Sequence, residues 1–409
     1  MNASGDQSRL TIISADTHAG ADIEGYRPYL PAQWADDFTD WAAGFESAWL
    51  DSDDDDYFLN YDSERRLAAL EDDGISAEVV FPNTTPPFFT GGSLAGTLAT
   101  TPEAHARQWA GLQAHNRWLI DFCAAVPGRR KGVIQLLPTD VNDAVSEVRW
   151  AAGRPEICGV LLASVPPNTV APLYSSDYDP LWAACVDAEL PVVTHAGSGA
   201  PSLPDHPATM PVLVYEYAFW SHRTIWHLVF GGVFERFPDL QLVITEQGGS
   251  KWLGALARGL DSKLDTLVDP KKQTVKFDRS ELEQRGLRPS ELIARNCWLG
   301  ASFMQPHDVP HRHELALDHI MWGSDFPHNE GTTPYTREAL RAAFSDVPMD
   351  EVRSMVGGAA AGLYGFDLAA LAPVADRLGP TVEEISTPLD EVPADATSYA
   401  FLPEYLATY

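Results

Sequence analysis

The chain has few cysteines, no leader-like N-terminus, and no apolar run long enough to cross a bilayer. Its cysteines are Cys123, Cys158, Cys185 and Cys297, scattered without a Cys-x-x-Cys pair. This spacing excludes a disulfide scaffold and a cysteine-based zinc site, and favours buried thiols in a reducing compartment. The N-terminus has neither the basic region nor the apolar core of a signal peptide. We therefore expect a cytoplasmic protein that has no membrane partner.

Positive charge is also scarce. There are 28 Lys and Arg residues against 58 Asp and Glu residues, and the formal net charge is −30. A surface this acidic repels phosphate groups, so nucleic acid is excluded as an expected partner. The acidic run at 51–56 is typical of a solvated loop, because it lacks the glycine and the ligand spacing of a calcium loop.

What the sequence does contain is a regular alternation of strand-like and helix-like segments. Short apolar segments predict eight strands at 10–14, 77–81, 132–137, 159–164, 191–195, 241–246, 297–301 and 319–324. Segments with helical periodicity lie between them, at 102–125, 141–152, 179–188, 211–237 and 249–267. Strands that are almost wholly apolar and alternate with helices indicate a parallel sheet buried on both faces.

Eight such strands predict an α/β protein with a (β/α)8 TIM barrel. A doubly wound open sheet is the alternative, but the chain has neither Gly-x-Gly-x-x-Gly nor a phosphate-binding loop to favour it. We assign residues 1–365 to one barrel domain, with an acidic and aromatic insertion at about 26–60. Residues 366–409 form a C-terminal extension that ends in aromatic residues. It is expected to pack on the barrel or on a neighbouring subunit, which would make a homodimer.

Polar side chains recur where the predicted strands end. Asp16 and His18 follow the first strand, and alternate residues of a strand point to the same side. His195 ends the fifth strand, Glu246 the sixth, and Asp325 follows the eighth. Each has a structural explanation of its own, as a core histidine, a turn former or a helix cap. Together they indicate one site, because active sites of these barrels lie at the C-terminal ends of the strands.

The sequence resembles the amidohydrolase superfamily, and within it the branch that includes the aminocarboxymuconate semialdehyde decarboxylases. The resemblance covers about residues 10–365. It is carried by SADTH at 14–18, AHNRWL at 114–119, YDPLW at 178–182, PVVTHAG at 191–197, GVFERFPDL at 232–240 and MWGSDFPH at 321–328. It implies that Asp16, His18, His195 and Asp325 are metal ligands.

Two positions depart from the family pattern. Asp16 stands where many relatives have histidine, and Glu246 stands where many have a histidine that activates water or protonates the substrate. We therefore expect Glu246 as a fifth ligand, which gives three carboxylates and two imidazoles. His328 and Glu330 follow Asp325 closely enough to add a ligand or a supporting hydrogen bond. Glu246 and His328 are the expected catalytic residues.

This ligand set leaves three reactions open. Three carboxylates and two histidines suit iron or manganese, and five ligands exceed the needs of one hydrolytic zinc ion. By resemblance, a non-haem diiron monooxygenase that uses O2 is the first hypothesis. The second is metal-dependent hydrolysis, with zinc or manganese and Glu246 as the general base. The third is non-oxidative decarboxylation, which the missing histidine of strand six makes less similar to the known decarboxylases.

The substrate is predicted from aromatic residues in the loops. Trp49, Phe58 and Phe88 are candidates for lining a large apolar cavity, although some of them have an alternative role in packing the insertion. Arg223 is a candidate for holding a carboxylate or phosphate group. These residues predict a bulky hydrophobic acid, terpenoid-like or acyl-thioester-like.

Overall fold

The computed structural model describes residues 8–45, 56–90, 98–162, 170–201, 206–272 and 276–402. Eight parallel strands follow one another around a single sheet in chain order. They are β1 Ile13–Ala19, β2 Ala77–Pro82, β3 Arg130–Leu136, β4 Ile157–Leu162, β5 Val192–Thr194, β6 Leu242–Ile244, β7 Cys297–Ser302 and β8 Ile320–Gly323. Every strand residue is buried except one in β3, which explains why the segments read as almost wholly apolar.

Helices surround the sheet. Among the described residues they are α1 Ala35–Ala43, α2 Ser63–Asp72, α3 Pro102–Ala124, α4 Val141–Ala151, α5 Asp179–Asp187, α6 Thr209–Phe230, α7 Val233–Arg236, α8 Lys251–Val268, α9 Ser280–Glu283, α10 Pro289–Asn296, α11 Thr336–Phe344, α12 Met349–Arg353, α13 Ala359–Tyr364, α14 Leu368–Leu378 and α15 Val382–Ile385. In the part of the chain that the structure describes, no helix is long and apolar enough to cross a membrane.

The first and last strands meet and close the sheet into a barrel. The backbone N–H of His18 donates to Phe326 O (2.6 Å), and that of Asp325 donates to Asp16 O (2.9 Å). The Ser14 hydroxyl lies 2.9 Å from the Ser324 hydroxyl and accepts from the Ser324 N–H. The predicted (β/α)8 barrel is therefore confirmed.

Apolar side chains fill the barrel below the site. Residues from all the strands meet in one cluster, and α13 adds alanines and Tyr364 to it from the end opposite the site. A larger cluster lies between the strands and the outer helices. All four cysteines are buried and free, as expected, and burial raises the pKa of Cys158 and Cys185 to about 12. The buried polar residues Asp16, His18, His195 and Asp325 lie toward the C-terminal ends of the strands.

Two predicted segments differ from the observed ones. β1 begins three residues later than predicted, so Asp16 and His18 lie inside the strand and not beyond its end. The single helix predicted at 211–237 is two helices, α6 and α7. Gly232 separates them with a φ of +66°, a left-handed conformation that glycine adopts without a Cβ clash.

The insertion packs through its own aromatic residues. Phe88, at the C-terminal side of β2, is 8% exposed and contacts the rings of Trp34, Phe38 and Trp41. The guanidinium of Arg107 on α3 lies 5.5 Å from the same ring. These contacts attach α1 to the barrel. Most of the acidic run at 51–56 lies outside the described residues.

The described part of the C-terminal extension packs on the barrel of the same chain. Val382 N–H donates to Ser8 O (2.9 Å) beside the start of β1, and Arg337 of α11 pairs with Glu384 (3.2 Å). Further along, Arg341 donates to Pro388 O (2.9 Å). The extension thus continues along α11 after α15.

Candidate metal centre

A bulge in β1 turns the side chains of two candidate ligands, Asp16 and His18, into the barrel. The pairing of β1 with β2 shifts register between Ser14 and Thr17, which is the signature of an irregular residue in the strand. Thr17 then faces β2 and donates to Glu78 Oε2 (2.9 Å), while Asp16 and His18 face the barrel axis. The sequence predicted that these two side chains share a side, but it did not predict the bulge.

The other ligand candidates come from three further strand ends. His195 follows β5, and its N–H donates to Ser198 Oγ (3.0 Å), which fixes the turn after the strand. Glu246 follows β6 and Asp325 follows β8, both with a φ of +59°. Left-handed backbone is costly for these residues and is found preferentially at functional sites. All the ligand candidates meet at this end of the barrel.

The first part of the site, which we call the buried side, consists of Asp16, His18, His195 and Asp325. Ligand atoms of the first three lie within 4.8 Å of one another. Nε2 of His18 and Nε2 of His195 each lie 3.4 Å from Asp16 Oδ1, and His18 Nε2 lies 3.0 Å from Asp325 Oδ1. Side-chain exposure is at most 4% for all four residues. Asp16, His18 and His195 therefore converge on one buried point, and Asp325 joins them through its contact with His18.

The hydrogen bonds of His18 test whether a metal ion fits this point. Its Nδ1 lies 3.2 Å from Pro82 O, so the Nδ1–H donates there and Nε2 is directed at the carboxylates. Despite the short approach to Asp325, Nε2 has no hydrogen bond of acceptable geometry. Nδ1 of His195 similarly lies 3.3 Å from Ala196 O. Imidazole Nε2 atoms facing carboxylate oxygens in this way are a suitable donor set for a divalent metal.

The second part of the site, which we call the open side, consists of Glu246, His328 and Glu330. Glu246 Oε2 lies 3.2 Å from His195 Nδ1, and the Glu246 side chain is 18% exposed. His328 Nδ1 lies 3.1 Å from Asp325 Oδ1, and its Nε2 lies 3.1 Å from Asn83 Oδ1. The His328 side chain is 21% exposed. These groups adjoin the buried side but remain accessible from the barrel mouth.

Charge is distributed unequally over the site. Burial acts to raise the pKa of Asp16, but the charge of His195 and the close approach of both imidazoles hold it well below its usual range. Burial, together with the negative charges of Asp325 and Asp16, raises the pKa of Glu246 well above its usual range. Burial and Asp325 likewise raise the pKa of Glu330. The carboxylates thus crowd one another, which a bound cation would relieve.

A buried ion-pair network supports β1 from behind. Glu78 of β2 contacts Arg66 (2.6 Å) and Arg130 (2.6 Å), and all three side chains are at most 3% exposed. Arg66 also donates to His18 O (2.7 Å). Burial would raise the pKa of Glu78, but the two arginines lower it to about 2. The network therefore holds the backbone of a candidate ligand in place.

Two further contributors were missed by the sequence analysis. Ser302, the last residue of β7, donates to Asp16 Oδ2 (2.5 Å). Asn83, directly after β2, contacts His328 as described above. Both follow the rule that strand ends build the site. Serine and asparagine at strand ends are too common to be singled out, so their position was the only available signal.

The predicted substrate residues are dispersed. Trp49 lies outside the described residues. Phe58 stacks under the guanidinium of Arg65, 4.6 Å from the ring centroid, and Phe88 packs the insertion. The described contacts of both rings are with the insertion, α2 or α3, so their substrate role stays a prediction.

Arg223 of α6 lines a small cavity beside the fifth strand. The other lining residues are Leu162, Leu173, Thr194, Ser198, Gly199, Trp220, Thr224 and His227. Among the described residues, Arg223 has no carboxylate partner, and burial lowers its pKa. The cavity adjoins the turn that carries His195, so a role for Arg223 in binding an acid remains a prediction.

Comparison with known proteins identifies the family. A family model described as amidohydrolase matches residues 64–366, well over half of the chain. No curated protein sequence matches the chain.

Solved structures of similar fold cover nearly the whole barrel. The 5-carboxyvanillate decarboxylase of Sphingomonas paucimobilis is 18% identical with a TM-score of 0.62, and the match covers 88% of this chain and 100% of that one. A 5-carboxyvanillate decarboxylase of Novosphingobium aromaticivorans, with bound manganese, is 16% identical with a TM-score of 0.64 and coverage of 87% and 97%. The 2,6-dihydroxybenzoate decarboxylase of Rhizobium is 13% identical with a TM-score of 0.60 and coverage of 87% and 99%. At these identities the likeness establishes the fold.

Proposed function

The chain belongs to the amidohydrolase family, and we propose that this metal-dependent enzyme is a decarboxylase that removes a carboxyl group from a small aromatic acid without oxidation. The observation that carries the proposal is the division of the site. Asp16, His18 and His195 form a buried group of candidate ligands to which His18 links Asp325, while Glu246 and His328 lie beside it with accessible side chains. Decarboxylation needs an ion, which the buried side would hold, and a proton-transfer group, which the open side would supply.

Asp16, His18, His195 and Asp325 would hold the ion. Four nitrogen and oxygen ligands suit manganese or zinc. A divalent ion there would bind the substrate carboxylate together with an oxygen substituent on the adjacent ring carbon, and would stabilise negative charge on the substrate. The protein's own part is to place the substrate carbon next to Glu246 and His328.

Decarboxylation breaks the bond between the ring carbon and the carboxyl carbon. CO2 leaves without the bonding electron pair, which remains on the ring carbon and must be captured by one proton. Glu246, His328 and Glu330 are the accessible acid–base groups of the site, and we assign the proton delivery to Glu246. His328 is then held by Asn83 and Asp325 beside the substrate. No oxidant takes part in this balance.

The chemistry of the structural neighbours supports this choice among the reactions left open by the sequence. Three neighbours of the fold are decarboxylases of hydroxylated aromatic acids, and one was crystallised with manganese. This favours decarboxylation over the diiron monooxygenase, which was the first hypothesis from the sequence. It also favours manganese over a pair of irons. The terpenoid-like or acyl-thioester-like substrate gives way to a smaller aromatic acid.

One specific observation keeps oxygenation as a second candidate. Ligand atoms of Glu246, Asp325 and Glu330 also lie within 4.8 Å of one another. Because Asp325 belongs to both groups, it would be shared as a ligand if the open side also held an ion. A second ion there would use the open side as ligands, and that side would no longer supply protons.

The experiment is turnover by manganese-loaded protein with 2,6-dihydroxybenzoate and with 5-carboxyvanillate under argon. We expect release of CO2, with the ring product gaining one hydrogen from solvent, as detected by deuterium incorporation in D2O. Hydrolysis, with Glu246 as general base, would instead add oxygen from labelled water to a product. Oxygenation would require O2 and would add one oxygen atom from it. Absence of CO2 release from a panel of hydroxylated aromatic acids, with turnover of an ester or amide, would refute the proposal.

A further inference from the structure

The last described part of the C-terminal extension returns to the end of the barrel that carries the candidate site. Residues 386–402, which we call the C-terminal strap, run along α11 after α15. Asp395 accepts from the Tyr335 hydroxyl (2.6 Å), and Thr397 donates to Asn329 O. Tyr399 N–H then donates to Glu330 O (3.1 Å). The strap therefore ends on the loop that carries His328 and Glu330.

Contacts from β7 and α11 hold the strap in this position. Gln305 donates from its side-chain amide to Tyr399 O (2.5 Å) and to Leu402 O (2.9 Å). The Tyr399 ring lies edge-on to Phe303, with centroids 5.6 Å apart. Phe303 is buried and has a φ of +54°, and Ala400 packs with it and with Ala339. Together, Gln305, the strained Phe303 and the small apolar cluster around Ala400 hold this short segment in place.

Tyr399 lies beside the loop that carries Glu330. Its pKa is raised by burial and then by the negative charges of Glu330, Glu246 and Asp325. The Tyr399 N–H donates to Glu330 O, and the Tyr399 ring packs against Phe303, which directly follows Ser302, the donor to Asp16; these contacts place Tyr399 beside the open side. Tyr399 is half-buried, and Ser398 and Ala400 on either side of it are buried. The Tyr399 side chain is therefore partly accessible between two buried neighbours.

From this geometry we propose that Tyr399 is a substrate-contacting residue and that the C-terminal strap forms one wall of the active site. The wall would give an aromatic substrate a ring to pack against beside the open side. This inference rests on the metal centre of the proposed function, but it does not depend on which reaction occurs there.

The placement is tested without substrate. Protein labelled with 3-fluorotyrosine is titrated with Mn2+, and the Tyr399 signal is identified by its loss in Tyr399→Phe. We expect Mn2+ to broaden this signal while Tyr335, identified in the same way, stays sharper, and Zn2+ should broaden neither. A Tyr399 signal that stays as sharp as that of Tyr335 with one Mn2+ bound would overturn the placement. Failure to bind Mn2+ at all would instead refute the metal centre.

The contact is tested by affinity. For 2,6-dihydroxybenzoate we expect Tyr399→Ala to raise the KM or dissociation constant about tenfold, and Tyr399→Phe to raise it less, because the ring is kept. Tyr29→Phe is the matched control, since it removes an exposed hydroxyl contact with Asp121 of α3 and touches neither the strap nor the open side. It should leave affinity unchanged. Tyr399→Ala with unaltered affinity and kcat, at an unchanged melting temperature, would overturn the contact. A decarboxylation failure with intact Mn2+ broadening would leave the wall standing and refute only the reaction.

Discussion

The buried side and the open side of the metal centre adjoin each other but are built differently. Asp16 and His18 lie within a strand, and a buried network of Arg66, Glu78 and Arg130 supports that strand from behind. Glu246, His328 and Glu330 lie in loops after strands, with part of each side chain accessible. Rigid, dry ligands suit permanent metal binding, whereas accessible groups suit contact with a substrate. The contrast indicates different tasks for two sets of similar residues.

The two sides also predict different metal counts. If only the buried side holds metal, one ion binds and the open side transfers protons. If both sides hold metal, Asp325 bridges two ions and proton transfer must come from elsewhere. Four substitutions, described from the largest expected effect to the smallest, test how the two sides differ.

Asp325→Asn should have the largest effect, because this carboxylate belongs to the buried side and touches the open side. Asparagine tolerates the left-handed backbone at this position, so folding should be retained. We expect bound metal to fall close to zero and kcat/KM to fall by about 10³-fold or more. Elemental analysis and steady-state kinetics measure this, with circular dichroism as the folding control. A variant that keeps its metal would show that Asp325 is not a ligand.

Glu78→Gln should break the support of the buried side. It leaves two buried arginines without a counter-charge, which should lower the free energy of unfolding by about 3–5 kcal/mol. Since the folded pKa of Glu78, about 2, is below its ordinary value of 4.5, its stabilisation is present above pH 4.5 and is lost as pH falls toward 2. The variant should therefore lose less stability on acidification. Urea unfolding at pH 7 and at pH 3.5 measures both effects.

Glu71→Gln is the control for this prediction. Glu71 also pairs with two arginines, Arg129 and Arg377, but its side chain is 22% exposed. We expect a loss of less than about 1 kcal/mol. Equal losses in the two variants would mean that the network behind β1 has no special role.

Glu246→Gln should distinguish the sides most clearly in function. Glutamine has nearly the same shape but cannot transfer a proton. We expect kcat to fall about 10²-fold while one metal per chain remains. Glu330→Gln is the matched variant and should have a smaller effect. Loss of one of two ions in Glu246→Gln would instead assign this glutamate to a second metal site.

Ser302→Ala should have the smallest effect. It removes the hydroxyl that donates to Asp16 Oδ2 but leaves the carboxylate in place. Loss of such a supporting hydrogen bond should weaken metal affinity about tenfold, and competition with a chelator measures it. Ser290→Ala, which removes a contact with Asp261 far from the barrel mouth, serves as control. Unchanged affinity in Ser302→Ala would show that Asp16 is held by the strand alone.

The sequence predicted the barrel well because its strands are buried on both faces. Continuous apolar segments and helices between them are local patterns, and seven of the eight strands begin within two residues of the predicted position. β1 was misplaced because Asp16 and His18 read as the end of an apolar segment, whereas closure against β8 keeps them in the sheet. The ligand candidates could be gathered because a barrel brings all strand ends together.

Other parts of the site depend on contacts between distant residues. Ser302 and Asp16 are 286 positions apart, and Gln305 and Tyr399 are 94 apart. No local pattern marks such pairs. Phe88 was predicted to line the pocket, yet its contacts with Trp34 and Phe38 show why aromatic loops are ambiguous: packing an insertion and lining a cavity use the same residues. The roles assigned to the individual residues of the site remain predictions.

The most direct test of the difference between the two sides is the metal content of the protein purified without added metal or chelator. Elemental analysis of the unmodified chain and of Glu246→Gln should give one manganese or zinc per chain in both. That result would place the metal on the buried side and leave the open side for proton transfer. Two irons per chain, falling to one in Glu246→Gln, would contradict the account and restore the diiron monooxygenase.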